Sequence, residues 1–294
     1  MEKKIKIIIS GGGTGGHIFP AISIANELME KVPGVEILFV GAENRMEMEK
    51  IPAAGYRIVG LPVMGFPRKP GINTLRFFYN LARSMRRARR VVKQFKPGVV
   101  VGVGGYASGP ILRVAVNKHI PTLIQEQNSY AGITNRLLAK RVDAICVAYE
   151  KMERYFPAEK IVHTGNPVRK ELLKGKTKTG EARALFSLPE GKSVLLLTGG
   201  SLGARTLNES VLASLRLIRN SAVEVIWQTG SMYYGEMEEK LKNQDIPNLH
   251  VFQFIQRMDL AYALADVVVS RAGAGTISEL CLVGKPALLV PSPN

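Results

Sequence analysis

The chain has 294 residues, an apolar fraction of 46% and a formal net charge of +16. That length accommodates two globular domains, and no apolar run reaches the roughly 18 residues a membrane-spanning helix needs. The chain enters a strand almost at once, so no signal peptide is expected, and the charge implies a partner that carries negative charge.

The apolar run Lys4–Ser10 reads as a buried strand. It feeds Ser10-Gly11-Gly12-Gly13-Thr14-Gly15-Gly16-His17, and a helix is expected from Pro20 to Lys31 with the proline in its first turn. Glycines let backbone N–H groups approach a phosphate and the helix dipole favours negative charge, so strand, loop and helix make an anion site. The loop fits G-x-G-x-x-G, a weak signal alone, and Glu43 beyond the strand Val35–Val40 keeps a dinucleotide reading open. His17 at the loop's end either holds the turn or takes a proton beside a bound phosphate.

Arg45–Ile51 reads as a short helix, Tyr56–Val59 as a third strand and Asn73–Lys96 as a long helix. No acidic residue lies between Glu49 and Glu126. Phe77, Leu81, Met85, Ala88, Val92 and Phe95 fall on one face of the long helix, and Arg83, Arg86, Arg87, Arg90 and Lys93 on another. Ile72, Leu75, Phe78 and Tyr79 precede the charges. Apolar residues beside clustered arginine suit an anionic bilayer, at about 1 kcal/mol per basic residue near the surface. No recognised nucleic-acid motif accompanies them, so nucleic acid is not expected as a partner.

Val99–Val103 runs into a second glycine loop, Gly104-Gly105-Tyr106, ahead of Gly109-Pro110. Two anion loops on one sheet would suit a diphosphate; the plainer reading is glycine permitting a close helix–strand contact. Pro121–Gln125 and Ala144–Ala148 are further strands, and Gln125-Glu126-Gln127-Asn128 offers polar groups to a hydroxylated ligand or to caps. These strands are apolar throughout, which predicts a parallel sheet covered on both faces.

The pattern restarts after Gly165-Asn166-Pro167, dividing the chain into 1–165 and 166–294. Lys174 to Gly180 reads as a surface loop. The strand Ser193–Thr198 leads into Gly199-Gly200-Ser201-Leu202-Gly203-Ala204-Arg205 and a helix from Thr206. Val223–Gln228, His250–Phe254 and Val267–Ser270 are strands, Gly273–Thr276 opens a helix at Ile277–Val283, and Ala287–Val290 is the last strand. The Ser201 hydroxyl could serve a phosphate. Glu279, placed in its helix's first turn, either complements the dipole or accepts ribose hydroxyls. Cys146 and Cys281 are expected to be buried free thiols. The expected fold is α/β, two Rossmann-like doubly wound domains facing a cleft.

Six motifs in order, Gly12–Pro20, Gly104–Pro110, Glu126–Asn128, Gly165–Arg169, Gly199–Arg205 and Ser270–Glu279, make the sequence resemble the MurG family. These are the N-acetylglucosaminyltransferases that convert lipid I to lipid II in peptidoglycan synthesis. The resemblance implies a GT-B fold, inversion at the sugar carbon, no cofactor and no obligatory metal. It implies UDP-N-acetylglucosamine as donor, with Ser201 at the phosphates, Ile255 at the uracil and Glu279 at the ribose. Ala274, Gly275, Thr276, Ile277 and Ser278 would line that pocket, and Thr14, Gly15, Gly16, Asn128 and Arg169 match further donor contacts. Gly13, Gly104, Gly105 and Tyr106 would face the diphosphate of lipid I. His17 is the expected base, with Glu126 as the alternative. The surface of Ile72, Leu75, Phe78, Arg83, Arg86, Arg87 and Arg90 would rest on the cytoplasmic membrane face. The family's pattern continues past Val290 with a glutamine-containing motif and a closing helix, whereas this sequence ends at Asn294. Transfer to another lipid acceptor, or nucleotide-sugar and membrane binding without catalysis, are the alternative readings.

Overall fold

The computed structural model describes residues 4–65, 71–174 and 179–292. The chain divides into two compact units, Met1–Val168 and Arg169–Asn294, three residues beyond the division read from the sequence.

Among the described residues, the strands of the first unit are β1 (Lys6–Gly11), β2 (Glu36–Ala42), β3 (Arg57–Leu61), β4 (Val99–Gly104), β5 (Thr122–Glu126), β6 (Ala144–Val147) and β7 (Ile161–His163). Its helices are α1 (Gly15–Lys31), α2 (Glu47–Ala53), α3 (Ile72–Phe95), α4 (Ser108–Val116) and α5 (Ile133–Leu138). The sheet order is β3-β2-β1-β4-β5-β6-β7, and the paired strands run parallel. β7 was not anticipated: three residues, Ile161-Val162-His163, are too short to show a pattern, and pairing with β6 forms the strand.

Side chains of a strand alternate between faces. Ile7 and Ile9 pack with Phe39, Val101, Ile18, Ala21 and Ile51 in one core. Ile8 between them packs with Val100, Ile124, Ala88, Val92 and Ile111 in the other. Both faces are covered, as the unbroken apolar runs require.

In the second unit the strands are β8 (Val194–Thr198), β9 (Glu224–Gln228), β10 (Leu249–Phe252), β11 (Val267–Arg271) and β12 (Ala287–Val290). The helices are α6 (Glu171–Lys174), α7 (Thr179–Phe186), α8 (Arg205–Ala213), α9 (Leu215–Arg219), α10 (Tyr234–Leu241), α11 (Met258–Leu264) and α12 (Ala274–Val283). The order is β10-β9-β8-β11-β12, parallel throughout. Trp227, Leu197, Leu207 and Val211 anchor its core. Of the polar segment read as a loop, 175–178 lies outside the described residues, Lys174 ends α6, and Thr179 and Gly180 open α7.

Three expectations are corrected. α1 begins at Gly15, so Pro20 is its sixth residue rather than a first-turn residue, and the glycine loop itself becomes the helix N-terminus. α12 begins at Ala274, so Glu279 is also a sixth residue and lies beyond the turn in which the dipole acts. Cys281 is exposed and Cys146 only partly buried; burial still pushes the Cys146 thiol up.

Candidate active site

Each sheet reverses its strand order at one place, between β1 and β4 in the first unit and between β8 and β11 in the second. Ligands of doubly wound sheets bind at the carboxyl ends of such strands. In the first unit the β1 and β4 loops meet there. The register shifts between Ser10↔Gly102 and Gly11↔Gly104, leaving Val103 as an extra residue of β4. Gly105, at φ 84°, lies against Gly12 so closely that a Cβ would stand 2.4 Å from the Gly12 carbonyl oxygen. Gly102 serves the plainer purpose weighed for this stretch: a Cβ there would meet Leu112 of α4 at 2.4 Å.

His17 sits in the first turn of α1, with Thr14 as N-cap and without a side-chain cap bond. Its own N–H and that of Ile18 bond the Thr14 carbonyl, at 3.1 and 3.2 Å. Those of Gly15 and Gly16 precede the first helical bond and point out of the helix end. His17 Nδ1 lies 3.1 Å from the Gly12 carbonyl oxygen and 3.3 Å from Thr14 Oγ1. A carbonyl can only accept, so the neutral ring carries its proton on Nδ1 and leaves a lone pair on Nε2. Nε2 abuts Gly104, where a Cβ would come within 2.8 Å of it. Burial lowers the imidazole from its ordinary 6.5, against opposing pulls from Glu126, the Gly12 carbonyl and Glu47. The ring is therefore neutral at pH 7.

Glu126, the alternative base, is 2% exposed and engaged on both oxygens. Oε1 accepts the Asn128 N–H and Nδ2 at 3.1 Å each; Oε2 accepts the Gly132 N–H and Asn135 Nδ2 at 2.9 Å each. Four donors fill its lone-pair sites, so it fastens the Glu126–Asn128 turn to α5 and has no acceptor site left for a substrate proton. Gln127 is buried and bonds the Val103 carbonyl, tying the same turn to β4. Tyr106 is exposed, its hydroxyl near Gly65.

The sequence reading missed Glu47. It is fully buried, and Oε1 accepts the Ala42 N–H at 2.9 Å while Oε2 accepts the Gly13 N–H at 3.0 Å. Gly13, read as a diphosphate donor, thus already donates to a carboxylate of its own chain. Losing that carboxylate would leave the buried Ala42 N–H unpaired, at a cost of about 1–3 kcal/mol. The glutamate follows the loop by more than thirty residues, so no local motif announces it. Glu43, the candidate ribose acid of a dinucleotide site, is ion-paired with Arg87 instead. That pair also removes Arg87 from the set of uncompensated arginines on α3.

In the second unit Gly203 and Gly230, both at positive φ, bring the β8 and β9 loops together: a Cβ on Gly230 would stand 2.0 Å from the Gly203 nitrogen. Ser201 is half-buried in the β8 loop. Gln228, another residue the sequence reading missed, ties three segments. Its Nε2 donates to Thr198 Oγ1 at 3.1 Å and to the Gly200 carbonyl at 3.0 Å, and its Oε1 accepts the Ile255 N–H at 2.8 Å. Gln228→Ala is expected to cost about 1–3 kcal/mol by leaving the buried Ile255 N–H unpaired, measurable as a lower denaturation midpoint.

The structure brings Arg169 and Glu279, 110 residues apart, into an ion pair: Nη2 and Nε reach Glu279 Oε1 at 2.8 and 3.2 Å. The Tyr262 hydroxyl donates to Oε2 at 3.2 Å. Burial, with Glu279 beside it, pushes the Tyr262 phenol far above its ordinary range, so it remains a donor. Ala274, Gly275, Thr276, Ile277 and Ser278 form the partly buried start of α12, whose N-cap Gly273 supplies no capping side chain.

The glycosyltransferase family 28 N-terminal domain matches residues 7–147, and the family's C-terminal domain matches residues 194–294. A curated relative from Parabacteroides distasonis is 58% identical over 292 residues, covering 99% of this chain and 79% of its own length. One from Bacteroides thetaiotaomicron is 56% identical over 296 residues, covering 100% and 80%. Both are UDP-N-acetylglucosamine--N-acetylmuramyl-(pentapeptide) pyrophosphoryl-undecaprenol N-acetylglucosamine transferases. The crystal structure of Acinetobacter baumannii MurG superposes with a TM-score of 0.68 at 28% identity, covering 99% of this chain and 79% of that one. Both glycine-loop domains and a strand order reversing beside His17 are accounted for together: the fold is GT-B, and the chain belongs to glycosyltransferase family 28.

Proposed function

We infer that the protein transfers N-acetylglucosamine from UDP-N-acetylglucosamine to the C4 hydroxyl of the muramyl sugar of lipid I, giving lipid II. The observation that carries the chemistry is His17 at the β1–β4 switch point, its Nδ1 held against the Gly12 carbonyl so that Nε2 keeps its lone pair. In a single inverting displacement the C4 oxygen forms a bond to the anomeric carbon as the bond to UDP breaks. The hydroxyl proton passes to His17 Nε2. The N–H groups at the starts of α1 and α4, with Gly104 and Gly105, face the acceptor diphosphate, with Tyr106 at their rim. In the second unit the β8 loop with Ser201, the Ile255 segment and the start of α12 hold the donor, and Glu279 serves its ribose. Incubating the protein with labelled UDP-N-acetylglucosamine and a lipid I analogue should yield labelled disaccharide product. UDP binding without any transfer would sink the reading in favour of a non-catalytic one.

The first turns of α3 support peripheral membrane contact. Ile72 is 83% exposed, Leu75 73% and Phe78 57%, and Leu81, on the apolar face of the helical period, is exposed too. α3 buries its apolar face only from Ser84 onward, where it packs on the sheet. Arg83, Arg86 and Arg90 are exposed beside these residues, and Arg83 lies 5.6 Å over the Tyr79 ring. Among the described residues no helix is long and apolar enough to cross a membrane. Replacing both Leu75 and Phe78 with glutamate should lower sedimentation with anionic vesicles by roughly tenfold or more, given the apolar area involved. Turnover on a short-chain soluble acceptor should persist. Unchanged vesicle binding would remove this surface from the role.

A further inference from the structure

Glu47 and His17 grip opposite ends of one peptide group. The Gly12–Gly13 peptide gives its N–H to Glu47 Oε2 at 3.0 Å, and its carbonyl oxygen lies 3.1 Å from His17 Nδ1. The carboxylate is fully buried and anchored at its other oxygen to the Ala42 N–H at the end of β2. There is little room for the peptide to turn: Gly105 crowds the Gly12 carbonyl, and the Glu47 side chain fills the space a Cβ on Gly12 would need.

We propose that Glu47 is a positioning residue for the His17 base, acting through the Gly12–Gly13 peptide. This rests on the reading of His17 as the base. A carboxylate accepting the N–H polarises the peptide and strengthens its carbonyl as an acceptor. The carbonyl then holds the Nδ1–H tautomer and fixes the ring, so that Nε2 keeps its lone pair. A peptide thus stands between acid and imidazole where a direct carboxylate–histidine bond would otherwise serve. Preorganisation of this kind acts before the acceptor arrives. The charged groups facing His17 are Glu126, from the β5 end, and Glu47, from α2; both favour its protonated form while burial opposes it.

The test is Glu47→Gln in the full chain, a change that keeps shape and removes the charge and one acceptor. Turnover should fall on the order of 10–100-fold, the cost of a misplaced catalytic group, with the KM for UDP-N-acetylglucosamine unchanged. Nitrogen-15 spectra of His17 should show a smaller Nδ1–H tautomer fraction and a lower titration midpoint. A folded Glu47→Gln variant with the wild-type tautomer and midpoint overturns the proposal, whatever its melting temperature, and so does wild-type turnover. Should that variant fail to fold, Glu47→Asp decides. Its carboxylate is drawn back from Gly13, so tautomer fraction and turnover should both drop, and wild-type values of both overturn the proposal. His17→Ala separates the two ideas: near-normal turnover there discards His17 as base, whereas the nitrogen-15 result speaks only to the link from Glu47.

Discussion

His17→Ala is expected to lose turnover on the order of 10²–10⁴-fold, the usual worth of a positioned general base, while UDP still binds. The expectation follows from the ring's surroundings. Nδ1 is committed to the Gly12 carbonyl, and burial keeps the ring neutral, so Nε2 is ready to accept a proton at pH 7. Glu126 cannot substitute, because its four bonds to Asn128, Gly132 and Asn135 occupy it. The acid limb of the turnover profile should therefore fall below pH 6.5, the ordinary imidazole value. Stability carries the same sign. A folded-state imidazole that resists protonation costs stability as pH drops below 6.5, where the unfolded chain binds the proton first. Single-turnover kinetics and calorimetry with UDP check the pair of claims. Turnover close to wild type would remove His17 from the role.

The second large effect is on donor affinity. Glu279→Gln should weaken UDP-N-acetylglucosamine binding by roughly 10–100-fold, the worth of one charge-assisted hydrogen bond of about 1.5–3 kcal/mol. Glu279 holds Arg169 on Oε1 and accepts Tyr262 on Oε2, which leaves one lone-pair site on Oε2 for a ribose hydroxyl. An amide there loses the charge that Arg169 answers and offers a donor where acceptors are needed. The loss should show in KM with kcat largely retained, the reverse of His17→Ala. An unchanged UDP dissociation constant by calorimetry would end the ribose assignment.

The fold was legible because its signals are local. Apolar runs such as Lys6–Gly11 and Val194–Thr198 need no partner to be recognised, and a glycine loop after each announces a doubly wound domain. The candidate residues that lie on those loops, His17, Ser201, Gly104 and Gly105, are legible for the same reason. Glu47 and Gln228 were not. Each is a polar residue within an ordinary element, and its meaning lies in bonds to Gly13, or to Gly200 and Ile255, that only the folded chain creates. Helix starts also escaped. Proline and the carboxylate of Glu279 were given first-turn positions, yet the glycines ahead of them had already adopted helical form. Leu81 fits the helical period of α3 but lies before the part of that helix that meets the sheet.

The contact between Gly12 and Gly105 bears on how such a protein could change its substrate. A Cβ at Gly105 would stand only 2.4 Å from the Gly12 carbonyl oxygen, so a side chain there would displace the β1 loop. Gly12 and Gly105 are therefore closed to larger residues, in evolution and in engineering alike. Room for a change of side chain lies instead at Tyr106, which is exposed beside them.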